Sequence, residues 1–508
     1  MNLRFVPTPL GPLDYPGQRD AGFDTELGAA FISSAARGPA LARLRQPGAL
    51  AVTTGQQPGL FTGPLYTVHK ALSTASLARV LERKWKRPVV PVFWLAGDDH
   101  DFAEASSASW VAADGSLATA SLPPRPSDAP LTPMYRQPLG DGVRPALEAL
   151  AAGLPPSEFR DTTLAWLERH YQPDQTVADS FAGAIAELLA PLGIVCFDST
   201  HPAAKRAMAP ILVHALAEAA RLDDELGRHA ESLGATARMS GVTVGDGASL
   251  VMLEASQGRD RLIRDGSAFI TRRSHERFER SALERIATES PERLSPNVLL
   301  RPVVESALLP TVAYLGGPGE LRYLAHTPPV YTTLGVHRQS PLPRWSGILL
   351  EPRIDRVLDK FGISLDDLSA PPGALEARLV RSQMPAEAME SLEELRAAIE
   401  QGYAAIGRAA VQIDPTLERP IAGVQQQALA GTYDVEKKLV QHLKRRQETE
   451  LSQLGRARTA VLPGGKPQER VLTVAPFLAR HGPQLLSALT DEIELWYDAG
   501  LEGPSQPS

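Results

Sequence analysis

The tetrad Asp98-Asp99-His100-Asp101 sets three carboxylates and an imidazole directly after the apolar run Val89 to Leu95 and Ala96-Gly97. Packing gives no reason to crowd like charges there, and mutual repulsion raises carboxylate pKa values. Such a group can hold Mg²⁺ through oxygen ligands, orient a substrate amine or act as a general base. It can also be a helix N-cap within a solvated acidic turn. No second His or Cys stands at a familiar zinc spacing. Asp98, Asp99, His100 and Asp101 are therefore the candidate catalytic residues.

Two glycine turns can bind anions. Gly55-Gln-Gln-Pro-Gly-Leu-Phe-Thr-Gly63 follows the apolar run Leu50 to Thr54 and precedes a helical stretch from about Leu65 to Lys86. Glycine lets backbone N–H groups approach a ligand, and the following helix N-terminus adds partial positive charge. Thr54, Gln56 and Gln57 add side-chain groups, and Lys70, beside His69 in the helix, can reach back toward a phosphate. The turn is neither a Walker loop nor GxGxxG. Gly316-Gly317-Pro318-Gly319-Glu320 repeats the design after the run Leu309 to Leu315. Upstream, Arg301 can clamp a carboxylate or phosphate bidentately, and Asn297 can fix a hydroxyl or carbonyl. These residues, with Gly55 and Gly63, are the candidate substrate- or nucleotide-binding set. Each has a plain structural alternative: a simple turn, a solvated lysine, an internal ion pair, or, for Glu320, a carboxylate complementing the helix dipole. Neither GxSxG nor HExxH occurs, so those hydrolase readings fall away.

The elements that position these groups read as strand, glycine turn, helix, strand, which is the βαβ unit of a doubly wound α/β sheet. Both polar clusters fall at strand carboxyl ends, where such sheets bind ligands. A further strand is predicted over Gly193 to Asp198, with Ser199 or Thr200 capping a helix from about Pro202 to Leu233. Residues 111–160 are rich in Pro, Ala, Ser and Gly, and Val242 to Ile270 alternates and turns like a set of hairpins. From Ala374 to Arg458 strong helix formers dominate, broken at Asp414-Pro415, predicting helices near 384–412 and 418–460. Val435, Leu439, Leu443, Leu451 and Leu454 give only a broken heptad, so an antiparallel hairpin or coiled-coil arm is expected, with an ordinary helical subdomain as the alternative. The expected domains are a core over 1–373 with insertions near 111–160 and 242–300, an arm over 374–462, and a helical tail over 463–508 packing back on the core. The terminal Gly-Pro-Ser-Gln-Pro-Ser is expected to be disordered.

The 508 residues carry a net charge of -7, which argues against nucleic acid or a membrane surface as partner. No basic start precedes an apolar run, no run approaches the length of a spanning helix, and Cys196, the single cysteine, can form no internal disulfide. A soluble cytoplasmic protein is expected. Cys196 itself reads as a core strand residue.

Four separated segments, TGQQPGLFTGPLYTVHKA, RPVVPVFWLAGDDHDFAE, LSPNVLLRPVVESALLPTVAYLGGPGELRY and QERVLTVAPFLARHGP, together resemble the BshC family, the assigned cysteine ligases of bacillithiol biosynthesis. The resemblance implies a Rossmann-like core with two connecting insertions, and an α-helical coiled-coil domain through which the family forms homodimers. It also implies a reaction joining cysteine to glucosaminyl-malate in the last step of bacillithiol synthesis. The family core is similar to class I nucleotidylyl-transfer enzymes, and a nucleotide pocket is associated with it, so ATP or ADP with Mg²⁺ is the implied cofactor set. No HIGH or KMSKS signature is readable. A nucleotidyl-transferring enzyme of another pathway uses the same crevice with a different acceptor. A non-catalytic dimeric scaffold that binds a sugar acid or nucleotide, with a basic helix near Lys437 to Arg458, is the alternative of another class.

Overall fold

The computed structural model describes residues 3–9, 11, 13–14, 16–234, 239–242, 244–245, 247–382, 384–446 and 448–502. The terminal segment expected to be disordered lies outside them. The chain forms two compact units, residues 3–349 joined by the chain from Gln468 onward, and Leu350–Pro467.

The first unit is built on five parallel strands: β1 (Leu50–Gln56), β2 (Val89–Leu95), β3 (Val195–Asp198), β4 (Thr311–Gly316) and β5 (Ser340–Pro343). Their spatial order is β5-β4-β1-β2-β3. Continuous apolar strands such as Val-Val-Pro-Val-Phe-Trp-Leu suit a parallel sheet covered on both faces. Period-2 alternation then divides the core. Leu50, Val52, Phe93 and Leu95 join one apolar cluster, while Ala51, Val92, Trp94 and Phe197 join the other. Helix α1 (Leu65–Trp85) covers the first face and α2 (Pro202–Ala217) the second. Because β1 has β2 on one side and β4 on the other, chain direction across the sheet reverses at β1, which opens a crevice at the carboxyl ends.

The region predicted as irregular contains an antiparallel pair, Ser107–Val111 with Leu117–Ser121, and a helix, Val143–Gly153. The hairpin-rich stretch forms a five-stranded antiparallel sheet that also recruits Leu294–Pro296. The single helix predicted over 202–233 is two, parting near Glu218, where Pro202–Ala217 ends and Ala219–Leu233 begins. Its N-cap is His201, whose Nδ1 accepts from Ala203 N at 3.1 Å, rather than Ser199 or Thr200. Ser199 instead donates to Leu95 O, and Thr200 donates to the Asp198 carboxylate. In the tail, α7 (Gln484–Glu502) lies along α1, with Ser76 Oγ donating to Thr490 O at 2.8 Å and Arg83 pairing with Asp498 at 2.6 Å.

The second unit contains α4 (Ala386–Ile413), α5 (Glu418–Arg446) and α6 (Glu448–Val461), while α3 (Arg301–Leu308) belongs to the first unit. It begins at Leu350, ahead of the boundary at 374 suggested by composition, because the helix Pro352–Phe361 packs on α6 and Lys360 pairs with Glu450 at 3.1 Å. The chain reverses at Pro415, so α4 and α5 lie antiparallel. Arg396 of α4 binds Thr432 at 3.0 Å and Glu436 at 2.6 Å on α5. Within α4 only Leu392 and Ala410 are buried, whereas Leu395, Ile406 and Ile413 are exposed; in α5, Val435 and Leu439 of the broken heptad are exposed as well.

Candidate active site

The crevice at the strand ends has a volume of ≈ 780 Å³. Gly55, Gln56 and Gln57 from the end of β1, and Asp98, Asp99 and His100 beyond β2, form part of its wall. Asn297, Arg301 and Glu320 stand on the β4 side. The antiparallel insertion closes it with Arg259, Arg261, Arg272 and Arg273.

The acidic tetrad divides into separate roles. Asp98 is buried and pairs with Lys205 Nζ at 2.5 Å, while the same ammonium donates to Leu294 O at 2.9 Å. Asp99 Oδ1 accepts from Asp101 N at 2.9 Å, and its second oxygen has no protein donor among the described residues. His100 Nδ1 lies 3.3 Å from Arg259 Nη1. Arginine can only donate, so Nδ1 accepts and the ring proton sits on Nε2. Burial, then the Arg259 charge, depress the His100 pKa against the opposing pull of Asp99 and Asp101, which keeps the ring neutral at pH 7. Asp101 is exposed and its carboxylate caps the short helix Phe102–Ala105 through Glu104 N at 3.1 Å. It therefore has the capping role and is not on the crevice wall. Gly97 fits only without a side chain, since a Cβ would stand 2.9 Å from Thr200 Cγ2.

The two glycine turns are not open anion cradles. Leu60, Phe61 and Thr62 are fully buried, and Tyr171 ties the first turn by accepting from Thr62 N and donating to Gly59 O. Phe61, Thr62 and Gly63 have φ of 49°, 69° and 69°, a left-handed run that those bonds hold in place. Gly63 is packed inside, and Thr54 Oγ1 donates to Leu315 O at 2.7 Å, so neither reaches the crevice. The α1 N-terminus is also taken, because Leu65 N donates to Leu472 O at 2.7 Å. At the second turn, Glu320 folds back to accept from Gly317 N at 2.9 Å. The turn's own carboxylate thus occupies the place an external anion would take, and Gly316, Gly317 and Gly319 frame it without lining the crevice.

Lys70 and Arg301 belong to a buried charge network. Lys70 Nζ meets Glu320 at 2.6 Å, Gly55 O at 2.7 Å and Gln56 Oε1 at 3.1 Å. Arg301 meets Glu305 at 3.0 Å and Tyr314 OH at 2.9 Å, and that hydroxyl donates to Glu320 at 2.7 Å. Thr53 Oγ1 donates to the other Glu305 oxygen. Burial raises the Glu320 pKa, but Lys70 and the Gly317 N–H outweigh it and hold the carboxylate below its ordinary range. Burial lowers the Lys70 pKa against Glu320, and the nearby Arg301 and Arg344 lower it further. Gly55 permits this packing: a Cβ there would stand 3.3 Å from Arg301 Nη1 and from Trp94. Asn297 Oδ1 accepts from Leu299 N and Leu300 N, both at 3.0 Å, and so caps the turn into α3. The Gln57 Nε2 amide is buried on the crevice side without a partner among the described residues, a donor available to a ligand.

His69 faces away from the crevice. Its Nδ1 lies 3.0 Å from Glu469, which also takes a bidentate pair from Arg344 at 2.6 and 2.8 Å. Sequence reading gave no sign of this cluster, of Lys205, or of the insertion arginines, because their partners are hundreds of residues away or lie in segments that read as surface hairpins.

No three His, Cys, Asp or Glu residues converge as a metal site among the described residues. Asp98 is engaged by Lys205 and Asp101 by its cap, so the donor set does not fit a protein-held Mg²⁺. No helix among the described residues is long and apolar enough to cross a membrane.

Comparison with known proteins places the chain in a family. The family model "Bacillithiol biosynthesis BshC, N-terminal Rossmann-like domain" matches residues 27–345, and "Bacillithiol biosynthesis BshC, C-terminal coiled-coil domain" matches residues 347–495. "Putative cysteine ligase BshC" of Solibacter usitatus is 32% identical over 500 residues, covering 97% of this chain and 91% of its own. The protein of the same name from Salinibacter ruber is 32% identical over 88% of this chain and 81% of its own. Among solved structures, Mycobacterium tuberculosis methionyl-tRNA synthetase overlays 81% of this chain and 88% of its own at 12% identity and a TM-score of 0.22, too low to carry an argument. With both of its domains matched and its relatives aligned over most of their length, the chain belongs to the BshC family, with a Rossmann-like core and a C-terminal coiled-coil domain.

Proposed function

We propose that the crevice forms an amide between the carboxyl group of cysteine and the amine of glucosaminyl-malate, with ATP activating the carboxyl. The carrying observation is the pairing, on one wall, of Asp99 with a free carboxylate oxygen and a neutral His100 whose Nε2 bears the proton. ATP converts the cysteine carboxylate to a mixed anhydride, releasing pyrophosphate or ADP. The amine then attacks the acyl carbon, the C–N bond forms, and the C–O bond to AMP or phosphate breaks. Asp99 takes the ammonium proton, and His100 Nε2–H donates to the carbonyl oxygen as negative charge builds on it. Mg²⁺ arriving with the nucleotide phosphates neutralises their charge when bound. The names of the relatives support the cysteine half of this reading.

The test supplies purified protein with cysteine, glucosaminyl-malate, ATP and Mg²⁺ and follows bacillithiol by mass spectrometry of the labelled thiol. Product is expected. Absence of product, even with extract of a bacillithiol producer that lacks this protein, overturns the ligase reading.

The arm supports a homodimer. Ile406, Val424 and Val435 are 54%, 50% and 49% exposed, an apolar surface that a second copy of the chain would cover. Deleting residues 384–460 is expected to halve the mass in light scattering, and Ile406→Asp with Val424→Asp to do the same. A dimeric deletion variant contradicts this assembly.

A further inference from the structure

The cations that the sequence nominates for anion binding are neutralised in the folded chain, Lys70 by Glu320 and Arg301 by Glu305, and Lys205 is neutralised by Asp98. The charge left open on the crevice stands on the antiparallel insertion. Among the described residues, Arg259, Arg261, Arg272 and Arg273 form no ion pair with a carboxylate, and all four line the crevice. We infer that Arg261, Arg272 and Arg273 form a receptor for a small, multiply charged oxyanion.

Three observations make this a built surface. Arg259 and Arg261 are two residues apart on the strand Gly258–Asp265, so they share one face of the sheet. Arg272 N donates to Arg261 O at 2.9 Å, which sets Arg272 beside Arg261. Asp260, 2% exposed, accepts from Arg261 N at 2.8 Å, Arg273 N at 2.8 Å and Ser274 N at 3.0 Å, locking strand and turn together. Both of its carboxylate oxygens are thereby engaged by backbone N–H groups. Arg259 is fixed separately, by Ser295 Oγ at 2.9 Å, Pro296 O at 2.8 Å and His100.

The acidic groups on the same crevice do not cancel this charge. Asp98 and Glu320 have lysine partners, and Asp223 has Arg264 at 3.6 Å and Gly247 N at 3.1 Å. Asp99 has no cationic partner among the described residues, and Asp223 Oδ1 has no hydrogen-bond partner among them. Three guanidinium forks on a locked turn match the planar oxygens of carboxylates or phosphates, which a flexible ammonium does not. The polyanion is either the dicarboxylate end of an organic acid or the phosphate chain of a nucleotide.

Isothermal titration of the full chain with L-malate, citrate and inorganic pyrophosphate tests this. At least one anion is expected to bind, with affinity falling as salt rises, and Arg261→Ala/Arg272→Ala/Arg273→Ala is expected to weaken it by about tenfold for each guanidinium that contacts the anion. The triple Lys variant is expected to fall between the two. Preference for the organic acids identifies a carboxylate receptor, and preference for pyrophosphate a phosphate receptor. Equal binding by wild type and the triple Ala variant, or no binding of any anion to wild type, overturns the inference. The readout is binding, so its outcome is distinct from the success or failure of the ligase assay.

Discussion

Asp99→Asn is expected to reduce kcat by roughly 10²–10⁴-fold, the usual contribution of a positioned proton acceptor. Asparagine is the informative replacement because its Oδ1 still accepts from Asp101 N, preserving the turn that Asp99 now holds at 2.9 Å. Stability is therefore expected to stay within about 0.5 kcal/mol of wild type, and the loss to appear in the chemical step. His100→Gln keeps an N–H donor but removes a titrating ring. The His100 pKa is depressed by burial and then by Arg259, so activity is expected to fall as pH drops below the ordinary histidine range, when protonation breaks the Arg259 contact. In His100→Gln that acid limb is absent. Single-turnover rates from pH 5 to 9 check both variants. An Asp99→Asn enzyme with unchanged kcat removes Asp99 from the chemistry.

Glu469→Ala is expected to destabilise the core by about 3–5 kcal/mol, the cost of leaving buried charge uncompensated. Glu469 is the shared anion of Arg344 and His69, whose side chains are 3% and 0% exposed. Its loss also reaches the crevice: Arg344 N donates to Gly316 O at 3.0 Å, and His69 adjoins Lys70. Glu469→Gln, which retains an acceptor, is expected to lose less.

The pH dependence has a definite sign. Burial raises the Glu469 pKa, but His69 and Arg344 outweigh it and hold the carboxyl well below its ordinary value of 4.5. Its contribution is complete above that value and is lost as pH falls below it. His69 is held neutral by burial against the pull of Glu469, so its pKa is lowered from 6.5. The unfolded chain binds that proton first, and stability declines as pH falls below 6.5. Removing Glu469 eliminates the first slope and leaves the second. The gap between wild type and Glu469→Ala, measured by urea unfolding from pH 7 to pH 3.5, is expected to narrow below pH 4.5. A gap independent of pH contradicts the ion-pair account.

The sequence by itself determined the parallel α/β core, because period, apolar runs and glycine punctuation are local properties. Val89 to Leu95 is a strand as read, and the helix predicted from Leu65 ends at Trp85, one residue from its expected limit. It also set the candidate polar groups at the carboxyl ends of β1, β2 and β4. The long helices of the arm were legible for the same local reason, helix being described over Ala386–Ile413, Glu418–Arg446 and Glu448–Val461.

Only the tertiary structure decided which polar groups remain available to a ligand. Lys70 and Arg301 are suitable cations by type, but whether each is free depends on Glu320 and Glu305, which fold brings to them. Asp98 and Asp101 look equivalent to Asp99 along the chain, yet one meets Lys205 and the other caps a helix. Hydrogen bonds and ion pairs act over about 3 Å in space, whereas the distance along the chain from Lys205 to Asp98 is 107 residues and from His69 to Glu469 is 400. Residue type fixes the chemistry a side chain can perform, and the three-dimensional neighbours fix whether it is already engaged.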